Sequence, residues 1–143
     1  MKKDILQVAL HFLKFRPRSV FEVEEKLKTK RFEEKEIKKT IAVLKKNQLL
    51  DDKKFAKMWV RDRNLLKPSG SFLLKLELRK LGIADSDIED ALKDQNAAAI
   101  QEELAKKALE SKHRYQKADF NKQAQFLQRR GFPTGIIYRI LKK

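Results

Sequence analysis

Basic side chains are the residues of this sequence whose number and spacing indicate a chemistry. The 143 residues include 35 lysine and arginine residues against 20 aspartate and glutamate residues, a formal net charge of +15. Residues 1–50 hold 14 basic and 7 acidic side chains, residues 51–95 hold 10 and 9, and residues 96–143 hold 11 and 4. Because cations placed on phosphates release bound counterions, this excess favours a polyanionic partner. The distribution predicts that the two ends bind the polyanion and that the near-neutral middle is available to protein.

The side chains needed for catalysis do not form a recognisable set. Cysteine is absent, and the two histidines, His11 and His113, lie far apart without clustered carboxylates. No serine has a histidine at a catalytic spacing, and neither glycine-rich phosphate loop, GxxxxGK[ST] or GxGxxG, occurs. Asp51 and Asp52 are most simply a helix cap. The sequence therefore predicts a protein that is not an enzyme and that has no cofactor, metal site or disulfide.

The first residues, MKKDILQVALHFLKF, combine a basic tip with an apolar stretch. Gln7, His11 and Lys14 interrupt that stretch, and no small-residue cleavage site follows, so it does not fit a secretory signal. No run of the sequence approaches the roughly 20 apolar residues of a membrane span. Together with the lack of cysteine, these features predict a cytoplasmic protein with no membrane partner.

An apolar pattern with spacings of five, five and four residues occurs three times in the sequence. The copies begin 51 and 49 residues apart, a period typical of helical repeat proteins. They predict an all-α fold of three tandem three-helix units, 1–50, 51–95 and 96–143, with nine helices in all. The pattern residues are Leu27, Phe32, Ile37 and Ile41; Leu78, Ile83, Ile88 and Leu92; and Leu127, Phe132, Ile137 and Leu141.

Each copy of the pattern contains signals for the end of one helix and the start of the next. Gly82 and Gly131 are expected to end their helices in the left-handed conformation, which glycine adopts without strain. Asp85 is predicted to cap the following helix of the second copy, and Pro133 to be the first helical residue in the third. Arg31 takes the glycine position in the first copy. It is expected either to adopt a positive φ at some cost or to end its helix by another geometry.

Further signals mark the helices on either side of these turns. Ser19 and Glu22 have the spacing of a capping box, which predicts that a helix starts there. Phe55 and Trp59, four residues apart, are predicted to be core residues that hold the first unit to the second. Asn96 suits either a helix cap or a surface position, so the sequence leaves open whether the last helix of the second unit continues into the third.

Three short helices joined by a glycine-containing turn are also the outline of helix-turn-helix modules, whose last helix enters a DNA groove. Lysine is common on those helices and base-reading side chains are sparse, which favours contact with backbone phosphates over sequence readout. Acidic residues of the second unit would repel phosphate, so any nucleic acid is expected on the outer units. The basic candidates there are Lys35, Lys38, Lys39, Lys45 and Lys46 in the first unit, and Arg129, Arg130, Arg139, Lys142 and Lys143 in the third.

Four blocks of the sequence resemble the RecX family of regulatory proteins. LLDDKKFAKMWVRDR is similar to the family signature LxDxxFAxxWVxxR, and GSFLLKLELRKLGI follows it as the family's GxxxLxxELxxKGI does. RPRSVFEVEEKL resembles RPRSxxELxxKL, and FLQRRGFPTGIIYRIL resembles FLxRRGFxxxxIxxVL. The blocks occur in family order over nearly the whole chain. Ser71, Leu81 and Arg31 depart from the family pattern and affect only local turns.

The resemblance implies a modulator of the recombinase RecA. Proteins of the family have tandem three-helix units in a curved, elongated monomer that lies in the groove of the RecA filament on DNA. They affect its ATP hydrolysis, strand exchange and co-protease activity, commonly as inhibitors, and they bind single- and double-stranded DNA directly. The residues within the matched blocks that are candidates for contact with RecA or DNA are Arg16, Arg18, Arg61, Arg63, Lys75, Arg79, Arg129, Arg130 and Arg139.

Two other functions remain open at this stage. One is a helix-turn-helix transcription regulator, which would use the last helix of an outer unit to recognise one DNA site. The other is a helical scaffold with no role in nucleic-acid binding. The exposed pair expected at Arg129 and Arg130 predicts that charge reversal there weakens binding with little loss of stability.

Overall fold

The computed structural model describes residues 4–142, and this part of the chain is all-helical. It contains ten helices where the sequence predicted nine, because the joint of the third unit forms an additional short helix, α8. No strand occurs among the described residues. The helices are α1 Ile5–Phe15, α2 Val20–Thr29, α3 Glu34–Lys46, α4 Asp52–Leu66, α5 Ser71–Lys80, α6 Asp85–Leu92, α7 Ala98–Glu110, α8 His113–Gln116, α9 Phe120–Arg129 and α10 Thr134–Leu141.

Three separate hydrophobic cores divide the helices into three units. The first unit consists of α1–α3, the second of α4–α6 and the third of α7–α10. Every residue of the repeated apolar pattern lies in or against the core of its own unit, which confirms the predicted all-α fold of three tandem units. Phe55 and Trp59 are core residues, as expected. Both belong to the core of the second unit, and the first unit has a core of its own.

The five-residue spacing that opens each pattern is the spacing of a Schellman turn. In the first unit, the N–H of Phe32 donates to the carbonyl of Leu27 (3.2 Å) and the N–H of Arg31 donates to that of Lys28 (2.9 Å). These two bonds satisfy carbonyls left open at the helix end, while the apolar side chains at both ends of the turn pack together. The other units repeat both bonds. The left-handed residues are Arg31 at φ 66°, Gly82 at φ 77° and Gly131 at φ 89°, which confirms the expectation for Arg31.

Several helix ends differ from the sequence prediction. Asp85 is the first residue of α6, and Ala84 occupies the cap position before it. Pro133 is the cap of α10 and not its first residue, since its ψ of 148° is extended; the ring of proline fixes φ and leaves ψ free. Asp51 does cap α4, accepting the N–H of Lys54 at 3.2 Å. The capping box of Ser19 and Glu22 at the start of α2 is complete.

The second unit does not continue into the third as one helix. The helix α6 ends at Leu92, a turn follows, and α7 begins at Ala98 with Ala97 as its cap. Asn96 is therefore neither a cap nor part of a continuous helix. Gln95 within this turn is buried, and its side chain points into the boundary between the two units.

The junction between the first two units joins the start of α2 to the turn after α5. The Ser19 hydroxyl donates to the carbonyl of Leu81 at 2.7 Å, and the N–H of Val20 donates to the carboxylate of Asp52 at 2.9 Å. The side chain of Phe21 lies where a Cβ on Gly82 would be. Gly82 therefore allows the turn to lie against α2.

The junction between the second and third units uses the same positions one repeat later. The N–H of Gly70, the cap of α5, donates to the carbonyl of Arg130 at 2.7 Å, and the N–H of Phe72 donates to that of Gly131 at 3.2 Å. A Cβ on Gly131 would overlap the backbone of Leu73. Each unit therefore meets the next by placing the start of its second helix on the following unit's turn.

Candidate nucleic-acid interface

The outer face of α3 carries the densest group of basic side chains in the third helices of the units. The side chains of Lys35, Lys39 and Lys46 are exposed, as is Ala42 between them. These four residues are spaced by four, three and four positions, so they form one row along the helix. No ion pair holds these three lysines within the part of the chain that the structure describes. Lys38 beside the row is paired weakly with Glu34, at 3.6 Å.

The corresponding helix of the second unit, α6, is acidic on its outer face. Asp85, Asp87 and Glu89 lie along it, and Asp90 pairs with Lys57 of α4 at 3.3 Å. Phosphate would be repelled by this surface. The expectation that the second unit does not bind nucleic acid by its last helix is consistent with this arrangement of charge.

The last helix of the third unit carries fewer basic side chains than α3, and they already have partners. Arg139 pairs with Glu102 of α7 at 3.0 Å. Lys142 lies over the ring of Tyr138 at 4.9 Å, and that ring stacks on Phe120 at 5.8 Å. Lys143 lies outside the described residues. The two outer units have the same net charge but differ in their last helices: α3 carries basic side chains without an ion-pair partner among the described residues, whereas those described on and next to α10 have partners.

Arg16 and Arg18 share one carboxylate at the start of α2. Arg16 forms an ion pair with Glu22, and Arg18 lies 3.7 Å from the same side chain. The guanidinium of Arg18 also stacks on the ring of Phe12 at 3.9 Å. Burial lowers the pKa of Arg18, Arg16 lowers it further, and Glu22 opposes both. Arg18 is thus part of the packing of α1 on α2, whereas Arg16 is more exposed.

Arg63 is held within the second unit. Its guanidinium binds both oxygens of Glu77, at 3.1 and 2.8 Å, and the indole N–H of Trp59 donates to the same carboxylate at 3.0 Å. This bidentate pair joins α4 to α5 and leaves the guanidinium 30% exposed. Arg61, by contrast, is 70% exposed and contacts only its neighbour Asp62, so it is accessible to a partner.

The remaining candidates of the second unit lie on α5. Arg79 is exposed and pairs with Asp85 at the start of α6, at 3.2 Å. Lys75, on the same helix, is partly buried and makes no ion pair with any residue that the structure describes. A surface pair such as Arg79 with Asp85 contributes little to stability and is readily exchanged for a partner's anion.

Arg129 and Arg130 differ sharply, although the sequence predicted an exposed pair. Arg129 is exposed and donates to the Tyr115 hydroxyl at 3.1 Å. Arg130 is only 5% exposed: its guanidinium donates to the carbonyl of Pro68 and lies over the Phe126 ring at 5.5 Å. Burial is the main cause that lowers the pKa of Arg130, and the nearby Arg63 adds to it. The expectation that both side chains are exposed is wrong for Arg130, which is packed at a junction, so charge reversal there is expected to cost stability.

The nine candidate residues do not form one site. They are distributed over all three units, and six of them form ion pairs: Arg16, Arg18, Arg61, Arg63, Arg79 and Arg139. Their partners are Glu22, Asp62, Glu77, Asp85 and Glu102. Sequence reasoning missed this pairing because most of these acids lie six or more residues away along the chain. It also missed a groove of about 1230 Å³ beside α1, where Phe12 and Phe15 meet Lys26 and Lys30.

Residues 4–142, the part of the chain that the structure describes, contain neither a candidate metal site nor a candidate membrane span. No group of three or more histidine, cysteine, aspartate or glutamate side chains is placed so as to hold a metal ion. None of the helices in this range is long and apolar enough to cross a membrane.

The fold and the charged surfaces define a class: a basic protein built from three helix-turn-helix-like units in series. Comparison with known families gives the same division. Profiles described as the first, second and third three-helix domains of RecX match residues 6–44, 51–92 and 100–141, respectively. The chain therefore belongs to the RecX family.

Individual relatives support this assignment along the full length of the chain. "Regulatory protein RecX" of Geobacillus sp. (strain WCH70) is 33% identical over 97% of this chain, and this chain spans 53% of that protein, about half its length. The protein of the same name from Thermotoga sp. (strain RQ2) is 36% identical over 99% of this chain and 84% of its own length. Both relatives are named regulatory proteins.

Two solved structures share the fold. A crystal structure of RecX from Lactobacillus salivarius has a TM-score of 0.79 and 32% identity, covering 96% of this chain and 92% of that one. Another crystal structure of regulatory protein RecX has a TM-score of 0.82 and 28% identity, covering 96% of this chain and 71% of that one.

Proposed function

We propose that this protein binds the RecA filament on DNA and inhibits its ATP hydrolysis, strand exchange and co-protease activity. The observation that carries the proposal is the combination of RecX family membership along the chain with the charge layout of the three units. A basic first unit can contact phosphates while the nearly neutral second unit contacts protein. The protein acts in the cytoplasm as a monomer and contacts single- and double-stranded DNA through their backbones.

The exposed basic residues support contact of the second unit with RecA and of the first unit with DNA. Arg61 and Arg79 of the second unit are exposed and hold only surface carboxylates, which a partner's acidic side chains can replace. A row of exposed lysines, Lys35, Lys39 and Lys46, lies on the last helix of the first unit and has no carboxylate partner among the described residues. A filament of RecA on DNA presents both kinds of partner side by side, so one array can contact both.

RecA's DNA-dependent ATP hydrolysis and strand exchange test the proposal. The protein is titrated from substoichiometric amounts to saturation onto filaments formed on single-stranded DNA. Both activities are expected to fall already at substoichiometric amounts, because one array spans several filament subunits. Unchanged rates at saturating protein would refute the proposal.

A transcription regulator of the helix-turn-helix type is the second candidate, favoured by the exposed outer face of α3. Such a protein needs a large preference for one site over bulk DNA. Most of the exposed residues of α3 are lysines, the others being Glu34, Glu36, Ala42 and Val43. Lysine provides a point charge and no fixed pairing with base edges. Competition with unrelated duplexes distinguishes the two: equal affinity for all duplexes removes the regulator.

A further inference from the structure

The three units differ in how their last helices use their charge, although the first and third have the same net charge. The outer face of α6 is acidic, and Arg139 and Lys142 of α10 are engaged with Glu102 and Tyr138. On α3 the row of Lys35, Lys39 and Lys46 has no carboxylate partner among the described residues. A net charge alone therefore does not locate the surface that a polyanion would use.

We infer that the outer face of α3 is the surface that binds duplex DNA, through the phosphate backbone and independently of sequence. This inference rests on the proposed function and refines its DNA contact: the sequence predicted that both outer units bind nucleic acid, whereas the arrangement of charges on the last helices favours the first unit. The chain has no acidic residue between Glu36 and Asp51, so nothing on α3 after its first turn opposes a phosphate.

The dimensions of the row match a nucleic-acid backbone. At a helical rise of about 1.5 Å per residue, Lys35 and Lys46 lie about 16 Å apart along the axis. Phosphates of one DNA strand follow each other by about 3.4 Å along the duplex axis, so the row spans roughly five of them. Ala42, exposed between Lys39 and Lys46, lets the helix backbone approach closely while the flexible lysines extend to either side.

Other charged groups near α3 leave this face basic. Lys45 lies on the side of the helix that approaches Asp52, whose carboxylate it influences. Glu34 is occupied by Lys38 at the first turn. Arg31 in the turn before α3 is exposed and adds a further cation close to the start of the row. The row therefore continues a basic surface and is not an isolated set of solvated lysines.

The test measures binding of a short mixed-sequence duplex, labelled with a fluorophore, by anisotropy over a series of salt concentrations and without RecA. The variant carries Lys39→Glu and Lys46→Glu. A matched control carries Lys106→Glu and Lys122→Glu, two exposed lysines of the third unit, and so has the same net charge. Lys39→Gln with Lys46→Gln tests whether loss of charge suffices, and circular dichroism verifies that each variant is folded.

The inference predicts at least a tenfold loss of affinity for the α3 variant, roughly 1.4 kcal/mol, and a smaller loss for the control. The slope of log K against log salt is expected to fall by about 2, as two phosphate contacts are lost. Equal losses in both variants, or binding by the α3 variant as tight as the original protein's, overturn the inference.

The result is separable from the proposed function. Because the duplex assay contains no RecA, it reports only where DNA binds. If the protein inhibits RecA and the α3 variant still binds duplex normally, the location is wrong and the function stands. If the α3 variant loses duplex binding while the original protein leaves RecA activity unchanged, the location stands and the function is wrong.

Discussion

The junction between the first and second units and the junction between the second and third use the same positions for different chemistry. Ser19 and Gly70 are both helix caps, and each donates a hydrogen bond to the next unit. Ser19 donates to the carbonyl of Leu81 at the end of α5, and Gly70 donates to the carbonyl of Arg130 at the end of α9. The first junction uses a hydroxyl group and the second a backbone N–H. The two junctions therefore share the same contact positions but form the hydrogen bond with different chemical groups.

The second junction also contains a buried polar network that the first lacks among the described residues. The Gln95 amide donates to the carbonyl of Ser69 at 3.0 Å and accepts from Asn64, while Gln101 donates to the Ser71 hydroxyl. Arg130 is buried beside this network. Buried polar groups are costly when unpaired, so such a network tolerates only one arrangement of the two units. We expect the second junction to be the more sensitive to substitution.

The largest effect is expected for Gly131→Ala at the second junction. The residue has φ 89°, and a Cβ would overlap the backbone of Leu73, which cannot rotate away. The free energy of unfolding, measured with urea, should fall by about 3 kcal/mol, combining the left-handed penalty with overpacking. Gly135→Ala is the matched control. Gly135 lies in α10, and a Cβ added to it would meet no atom within 4 Å. Alanine there should therefore stabilise the helix by roughly 0.5–1 kcal/mol. A loss at residue 131 no larger than at residue 135 would refute the close contact.

Gly82→Ala at the first junction should cost less, about 1–2 kcal/mol. The left-handed penalty is similar, and the obstacle is the Cβ of Phe21, which moves only with the backbone of α2. That shift should cost less than one at the second junction, where the buried polar network holds the two units in place. Urea unfolding of the two alanine variants side by side gives the comparison. If Gly82→Ala is the more damaging, the ranking of the two junctions is reversed.

Arg31→Gly should raise the free energy of unfolding by about 0.5 kcal/mol. Glycine removes the strain of a positive φ, and its greater freedom in the unfolded chain offsets part of that gain. Unlike Gly82 and Gly131, Arg31 borders no preceding unit among the described residues, so the substitution disturbs no junction between units. Lys30→Gly in the same turn, where φ is −82°, is the control and should not stabilise. Destabilisation by Arg31→Gly would mean that the arginine makes a stabilising contact.

The smallest expected effect is a change in how the free energy of unfolding depends on pH, through Asp52 at the first junction. Burial raises the pKa of Asp52, although the bond from the N–H of Val20 opposes this. A carboxyl whose pKa is higher in the folded state binds protons more tightly there. Its contribution to stability is complete below its unfolded pKa and is lost as the pH rises through the folded value. Asp52→Asn should therefore flatten this part of the stability profile in urea titrations between acidic and neutral pH. An unchanged profile would show that Asp52 is not its source.

The sequence predicted the features that depend on local spacing. The left-handed helix ends at Gly82 and Gly131 followed from the residues alone, whereas for Arg31, at the same position of the first copy, the sequence left a positive φ and another geometry open. The capping box of Ser19 was predictable for the same reason, because both partners lie within four residues. The three units and their cores follow from the periodicity of the apolar residues.

Features that depend on distant residues could not be predicted. Arg129 and Arg130 are neighbours of the same type, yet Arg130 is buried because it contacts Pro68, 62 residues earlier in the chain. The pairing of Arg139 with Glu102 likewise joins residues 37 apart. Net charge by segment treated all these cations as free. Only the packing of the units distinguishes the lysines of α3 from the engaged cations of the third unit.

A cryo-EM map of this protein bound to a RecA filament on DNA would show which of its helices contact DNA and which contact RecA. We expect density for three helical units along the filament, with α3 against a DNA backbone and the second unit against RecA. Bare filaments at saturating protein would contradict the proposed function, and density with α3 turned away from DNA would contradict its assigned contact.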